Sequence, residues 1–112
     1  MCCRNKKREI RRQFRDAVFE RDDFKCAMCD AKSSKENAEQ DLDAHHITNR
    51  KEIVNGGYVK ENGISLCPEC HQKAEVFHST GTAFPGYAPD DLYKKINSSH
   101  ELAVEASKKL GD

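Results

Sequence analysis

Residues 43–47 read Asp43-Ala44-His45-His46-Ile47 (DAHHI), and they sit between two cysteine pairs, KCAMCD at 25–30 and LCPECH at 66–71. Leu42 to Ile47 reads as a short strand. Adjacent side chains on a strand point to opposite faces, so both imidazoles are not expected on one metal ion. A division of labour suits them better. One can hold a cation while the other takes a proton from water, a task that fits a group titrating near neutrality.

The flanking pairs, Cys26/Cys29 and Cys67/Cys70, are C-x2-C knuckles separated by 37 residues. Four thiolates at these spacings suit one tetrahedral zinc, because each knuckle presents two sulfurs on a tight turn. In a reducing compartment the metal reading is preferred to two disulfides. Cys2 and Cys3 stand outside this set and receive no role. His71 directly follows the last cysteine, and Pro68 marks the first turn of a helix running to about His78. His71, Glu75 and His78 share one face of that helix. Antiparallel strands packed against it would bring His45, His46 and His71 together.

The rest of the chain is organised around this segment. Residues 1–8 read as a disordered basic tail. Ile10, Phe14, Ala17 and Val18 recur at helical spacing and predict a helix from Glu9 to about Asp22. Residues 30–40 read as a polar loop. Residues 48–63, with Gly56-Gly57 and Asn62-Gly63, read as a loop or wide hairpin connection leading to a second strand, Ile64-Ser65-Leu66. A connector over 79–88 precedes two further helices, Pro89 to Ile96 and His100 to Leu110. Ser98 and Glu101 are spaced as a capping box for the last helix, and Gly111 stands at its end. His78 and His100 read as surface histidines.

With 112 residues, 37% of them hydrophobic and 34% charged, the chain is expected to form one domain with a modest core that needs a further staple. No apolar run approaches the roughly 18–20 residues of a membrane span, and the basic start MCCRNKKREIRR is not followed by an apolar stretch. The expectation is a protein that is neither secreted nor membrane-spanning. Net charge is zero, from 19 basic and 19 acidic residues. Within residues 1–15, however, seven basic groups (Arg4, Lys6, Lys7, Arg8, Arg11, Arg12, Arg15) face Glu9 alone. Such an arm either contacts a polyanion such as nucleic acid or forms a solvated helix end.

In the order Cys26, Cys29, Asp43, His45-His46-Ile47, Asn62, Cys67, Cys70, His71, the chain resembles the HNH endonucleases over about residues 20–80. The lead-in FRDAVFERDDFKCAMC also resembles that family's entry helix. The resemblance implies a small α+β fold, a ββα-metal core with a structural four-cysteine zinc site and flanking helices. It implies a single nuclease domain over 9–112, with its core at about 20–80 and a helical extension at 89–110. The activity it implies is metal-dependent hydrolysis of DNA phosphodiester bonds, by nicking or double-strand cleavage, leaving a 5′-phosphate and a 3′-hydroxyl.

Residue by residue, the resemblance makes His46 the general base, and His45 and His71 ligands of a catalytic divalent metal (Mg2+, Mn2+, Ni2+ or Zn2+). Asn62 becomes the residue that braces the loop and helps orient the base, and Cys26, Cys29, Cys67 and Cys70 the structural zinc ligands. Some family members carry a further histidine where this chain has Glu75. A carboxylate there favours a hard cation, and either Glu75 or His78 can complete the shell. Asp43 matches an acidic position to which no role is attached. Small stand-alone proteins of this kind occur in phages and prophages, which implies a bacterial or phage-infected cytoplasm and partners in DNA packaging, homing or restriction. The competing class is a non-catalytic zinc module that binds nucleic acid or protein. Such a module has no need of His45, His46, Asn62 and His71 together.

Overall fold

The structure, a computed structural model, describes residues 3–111. Its centre is a two-stranded antiparallel hairpin, β1 (Asp43–His46) and β2 (Gly63–Leu66), paired Asp43 with Leu66, Ala44 with Ser65, His45 with Ile64 and His46 with Gly63. Helix α1 (Cys3–Arg21) covers one face and α3 (Pro68–Thr80) packs on the other. A short α2 (Ala38–Asp41) leads into β1, and α4 (Pro89–Lys95) and α5 (His100–Lys108) close the C-terminal side. Two strands and a following helix form the expected α+β, ββα arrangement.

Helix α1 docks through Phe14, Val18 and Phe19, all buried. Gly63 makes that approach possible: a Cβ at this position would lie 2.5 Å from Val18 Cγ2 and 2.7 Å from Phe14 Cε1. Polar groups fix the angle. Asp22 Oδ2 accepts from Ser65 N at 2.8 Å, and Arg21 Nη2 donates to Gly63 O at 2.7 Å. The helix begins at Cys3, so most of the segment expected as a disordered tail is helical; Met1 and Cys2 lie outside the described residues. Lysine and arginine are good helix formers and no breaker interrupts them. Arg12 also ties successive turns together through Glu9 and Asp16.

The connection over 48–62 contains three 3-10 turns, Arg50–Glu52, Val54–Gly57 and Lys60–Asn62. Two further expectations are corrected. Residues 30–40 are not loop throughout, because α2 occupies Ala38–Asp41 and buries Ala38. The cap of α5 is Ser99, whose hydroxyl accepts from Leu102 N at 3.1 Å. Ser98 instead donates to Glu61 O at 2.8 Å, so the cap falls one residue later than predicted, and with Leu102 three positions on there is no capping box. No helix among the described residues is long and apolar enough to cross a membrane.

Candidate metal and active site

The first knuckle is a turn over Cys26–Cys29, closed by Asp30 N to Cys26 O at 3.0 Å and pinned to the hairpin by Ala27 N to Ser65 O at 2.8 Å. The second is the start of α3: Cys67 is its N-cap, Pro68 opens its first turn and Cys70 is buried inside it. The four Sγ atoms lie within 4.8 Å of one another, with Cys29 and Cys67 at 3.6 Å. A tetrahedron built on Zn–S bonds of about 2.3 Å has edges of about 3.8 Å, so the cage has the dimensions of a zinc site.

Burial alone would raise the Cys26 thiol, but N–H groups of Cys67, Cys29 and Met28 bring it down to about 7. Cys70 is pushed up to about 12, chiefly by burial, although the Tyr87 hydroxyl donates to its sulfur at 3.3 Å. A cation resolves this mismatch by stabilising all four thiolates together.

The strand sends its two histidines apart. His45, 3% exposed, faces α3, where its ring stacks on His78 with centroids 5.1 Å apart. Its Nδ1 lies 3.5 Å from Glu75 Oε1, and the same carboxylate oxygen is 3.2 Å from His71 Nε2. His71 turns its other nitrogen to Asp43 Oδ2 at 3.1 Å.

Two features of this group fit a cation. Buried His45 Nδ1 has no hydrogen-bond partner among the described residues. His71 stands between two carboxylates, with Asp43 at Nδ1 and Glu75 at Nε2, so that a proton held toward Asp43 would turn the Nε2 lone pair to a cation shared with Glu75. Metal–ligand bonds of about 2.1 Å give ligand–ligand edges of about 3.0–3.4 Å, close to these separations. His45, His71 and Glu75 can therefore hold an ion, and they line an open cavity of about 410 Å³ shared with His46, Arg50 and His78.

His46 points to the α1 side. Phe14 stacks on it at 4.6 Å and 30°, and the Tyr58 ring meets it edge-on at 4.7 Å and 87°. Burial first, then the neighbouring Arg50 and His78, lower His46 to about 4; burial and the three neighbouring histidines lower His45 to about 3. Both rings are thus neutral at physiological pH, one available to a cation and the other to a proton.

Asn62 is fully buried, and its side chain makes no hydrogen bond to His46 among the described residues. Its amide donates to Thr48 O (3.1 Å) and Gly57 O (3.2 Å), while its carbonyl oxygen accepts from Thr48 N (2.9 Å) and Tyr93 OH (2.7 Å). It clamps the turn before β2 to the residues just after His46. Gly57, at φ +65°, allows the clamp, since a Cβ there would lie 2.4 Å from Asn62 Nδ2. His78 is not the surface histidine expected. It is half-buried and its Nε2 lies 2.9 Å from His46 O. His100 is exposed, with Nδ1 3.2 Å from Thr48 Oγ1.

Phe14, Tyr58, Tyr87 and Tyr93 are site residues that sequence reasoning does not single out. Phe14 carries only a core signal, and the three tyrosines have no spacing relation to the histidines or cysteines.

Residues 26–76 match the family model described as HNH endonuclease. No curated protein and no solved structure matches the chain. That matched stretch contains the hairpin, the first turns of α3, the four cysteines and the His45–His71–Glu75 group, and over it the chain is similar to the HNH endonucleases.

Proposed function

We propose that the protein is a metal-dependent DNA endonuclease, with His46 as general base and His45, His71 and Glu75 as the ligands of a catalytic divalent cation. The observation that carries this reading is the pairing on β1. A buried, unpartnered His45 nitrogen meets a ring nitrogen and a carboxylate of α3, while the next residue presents a neutral imidazole from the opposite face. A purely structural zinc module has no use for the second group.

Each side chain then has a task. Asp43 accepts the Nδ1 proton of His71 and so leaves Nε2 free for the cation. Glu75 brings negative charge that favours Mg2+ or Mn2+. His46, held between Phe14 and Tyr58, takes the proton from the attacking water. Asn62 is a positioning residue that holds the backbone beyond His46 through Thr48. When bound, the cation supplies charge stabilisation to the attacked phosphate and the departing 3′ oxygen. Cys26, Cys29, Cys67 and Cys70 hold a structural zinc, and His71, bonded to Cys70, inherits its placement from that site. The thiols suit a reducing compartment such as the cytoplasm.

The direct test incubates the zinc-containing protein with supercoiled plasmid and a series of Mg2+, Mn2+, Ni2+ and Zn2+. Conversion to nicked or linear DNA that depends on the added metal is expected. Intact plasmid under every metal, with the four-cysteine zinc present, would overturn the proposal in favour of a binding module.

A further inference from the structure

Tyr58 is where two cationic segments meet. From the connection, Arg50 Nη1 lies 3.3 Å from the Tyr58 hydroxyl. From α1, the Arg11 guanidinium stands 6.0 Å from the centre of the same ring. Neighbouring arginines of α1 have carboxylate partners: Arg12 takes Glu9 and Asp16, and Arg15 takes Asp16 and Glu39. Neither Arg11 nor Arg50 forms an ion pair among the described residues. Both side chains are exposed, and the ring between them touches His46.

Two guanidiniums turned toward one phenol without a counter-charge repel each other, and an anion held between them relieves that repulsion. The planar donors of arginine match phosphate oxygens, and a phenol hydroxyl adds a third donor. Burial would raise the Tyr58 hydroxyl, yet hydrogen bonding and charge from Arg50 and Arg11 bring it below the ordinary tyrosine value, as expected of a positive local field. Surface continuity gives direction. Arg11 lies in the hollow along α1 with Lys7 and Arg8, and also in the one that reaches Tyr58. Arg50 and Lys51 line the cavity of His45 and His46.

The geometry points to a second phosphate station: Arg11, Arg50 and Tyr58 hold a backbone phosphodiester of the DNA strand beside the one attacked at His46. The station rests on the endonuclease reading for the neighbouring reaction, but its contacts are to phosphate and carry no base sequence. It therefore sets where the strand lies relative to His46 without selecting a sequence. Lys7 and Arg8 extend the same path along α1.

The test measures binding of a 20-base-pair duplex by fluorescence anisotropy between 50 and 300 mM salt, in a His46→Ala background that leaves the DNA intact. Replacing Arg11 and Arg50 by Gln is expected to weaken binding at least tenfold at low salt. It should also lower the slope of log K against log salt by about 0.9, since the station is one phosphate contact and each contributes about that much. The matching Lys pair should recover most of the slope, and Tyr58→Phe should weaken affinity while leaving the slope in place. Zinc content and melting temperature establish that each variant is folded.

An unchanged slope and affinity in the folded Gln pair would overturn the station, as would failure of the parent to bind duplex at all. The two readings separate cleanly. Plasmid cleavage by wild-type protein with no slope change removes the station alone. A slope change without any cleavage removes the endonuclease reading and keeps the phosphate site.

Discussion

His78 Nε2 lies 2.9 Å from the backbone oxygen of His46, so the last turns of α3 hold the strand position that carries the proposed base. His78→Phe keeps an aromatic ring against His45 and removes the donor. It should lower stability by about 1 kcal/mol, the usual net value of one hydrogen bond. If that loss acts wholly on the placement of His46, kcat falls roughly fivefold. Chemical denaturation and plasmid cleavage on the same preparation check both figures. Wild-type stability and rate would show the contact to be incidental.

Base and ligand should respond differently to metal. His46→Ala removes the proton acceptor but leaves His45, His71 and Glu75 in place. Cleavage should fall about 10²–10⁴-fold at every metal concentration, the usual range for general-base catalysis. His71→Ala should weaken the catalytic cation, so that raising Mn2+ restores part of the rate. Rate measured against metal concentration separates the two, and a metal-rescued His46→Ala would reverse the assignment.

The pH profile follows from burial. His46 has a folded pKa lowered from 6.5 to about 4, so it stays unprotonated well below neutrality. At saturating metal, cleavage should change less than about twofold between pH 7.5 and 5.5; an ordinary imidazole would lose about tenfold. Stability moves the other way. The unfolded chain takes up protons below 6.5 that the folded His45 and His46 refuse until about 3 and 4. The metal-free fold is therefore favoured above that window and weakens as pH falls through it. Urea midpoints at pH 7, 6 and 5, compared with those of a His45→Phe/His46→Phe protein, measure the share of the two rings.

Removal of a zinc ligand should have larger consequences than removal of its neighbour. Cys67→Ser is expected to lose the metal and much of the fold, because a structural zinc contributes folding energy directly. Tyr87→Phe deletes only the hydroxyl that donates to Cys70 and should lower zinc affinity about tenfold with the fold retained. Elemental analysis with chelator competition reads both. Well-folded wild-type protein free of zinc would sink the structural-zinc assignment.

The Asn62 clamp gives a stability prediction away from the metals. Asn62→Ala strands the buried Gly57 carbonyl and the half-buried Thr48 backbone groups, leaves the Tyr93 hydroxyl with Thr48 Oγ1 alone, and should cost about 3 kcal/mol. Gly57→Ala should be comparably harmful, since the new methyl would meet Asn62 and Ile53 at a residue with positive φ. Thermal unfolding of the two variants and their combination should show a loss well short of additive, as both break the same contact.

Local signals carry the hairpin, the cysteine cage and the entry to α3, because each is written in short spacing: adjacent histidines, C-x2-C, Pro68 after Cys67. Opposed faces for His45 and His46 follow from strand periodicity alone. Asn62 is legible as a bracing residue, but its actual partners, Thr48, Gly57 and Tyr93, come from three separate segments. The wall of Phe14 and Tyr58 around His46 is hidden for the same reason, since 43 residues of sequence separate two rings that meet at 5.7 Å. His78 reads as a surface residue because its distance from His46 in the chain conceals a bond made across the helix–strand interface. Charge density at the N-terminus points to disorder, yet lysine and arginine favour helix, and α1 starts early.

Gly63 gives up its side chain so that Phe14 can reach His46, and Phe14 lies well before residue 26. The portion that recombination could move intact between genes is therefore longer than the stretch that matches the family model. A transplant beginning at the first cysteine of the cage would carry every proposed metal ligand and Tyr58 into a new host but leave behind Phe14, the ring stacked on the proposed base. The recipient would have to supply its own helix, with a ring at the right turn, before the graft could work.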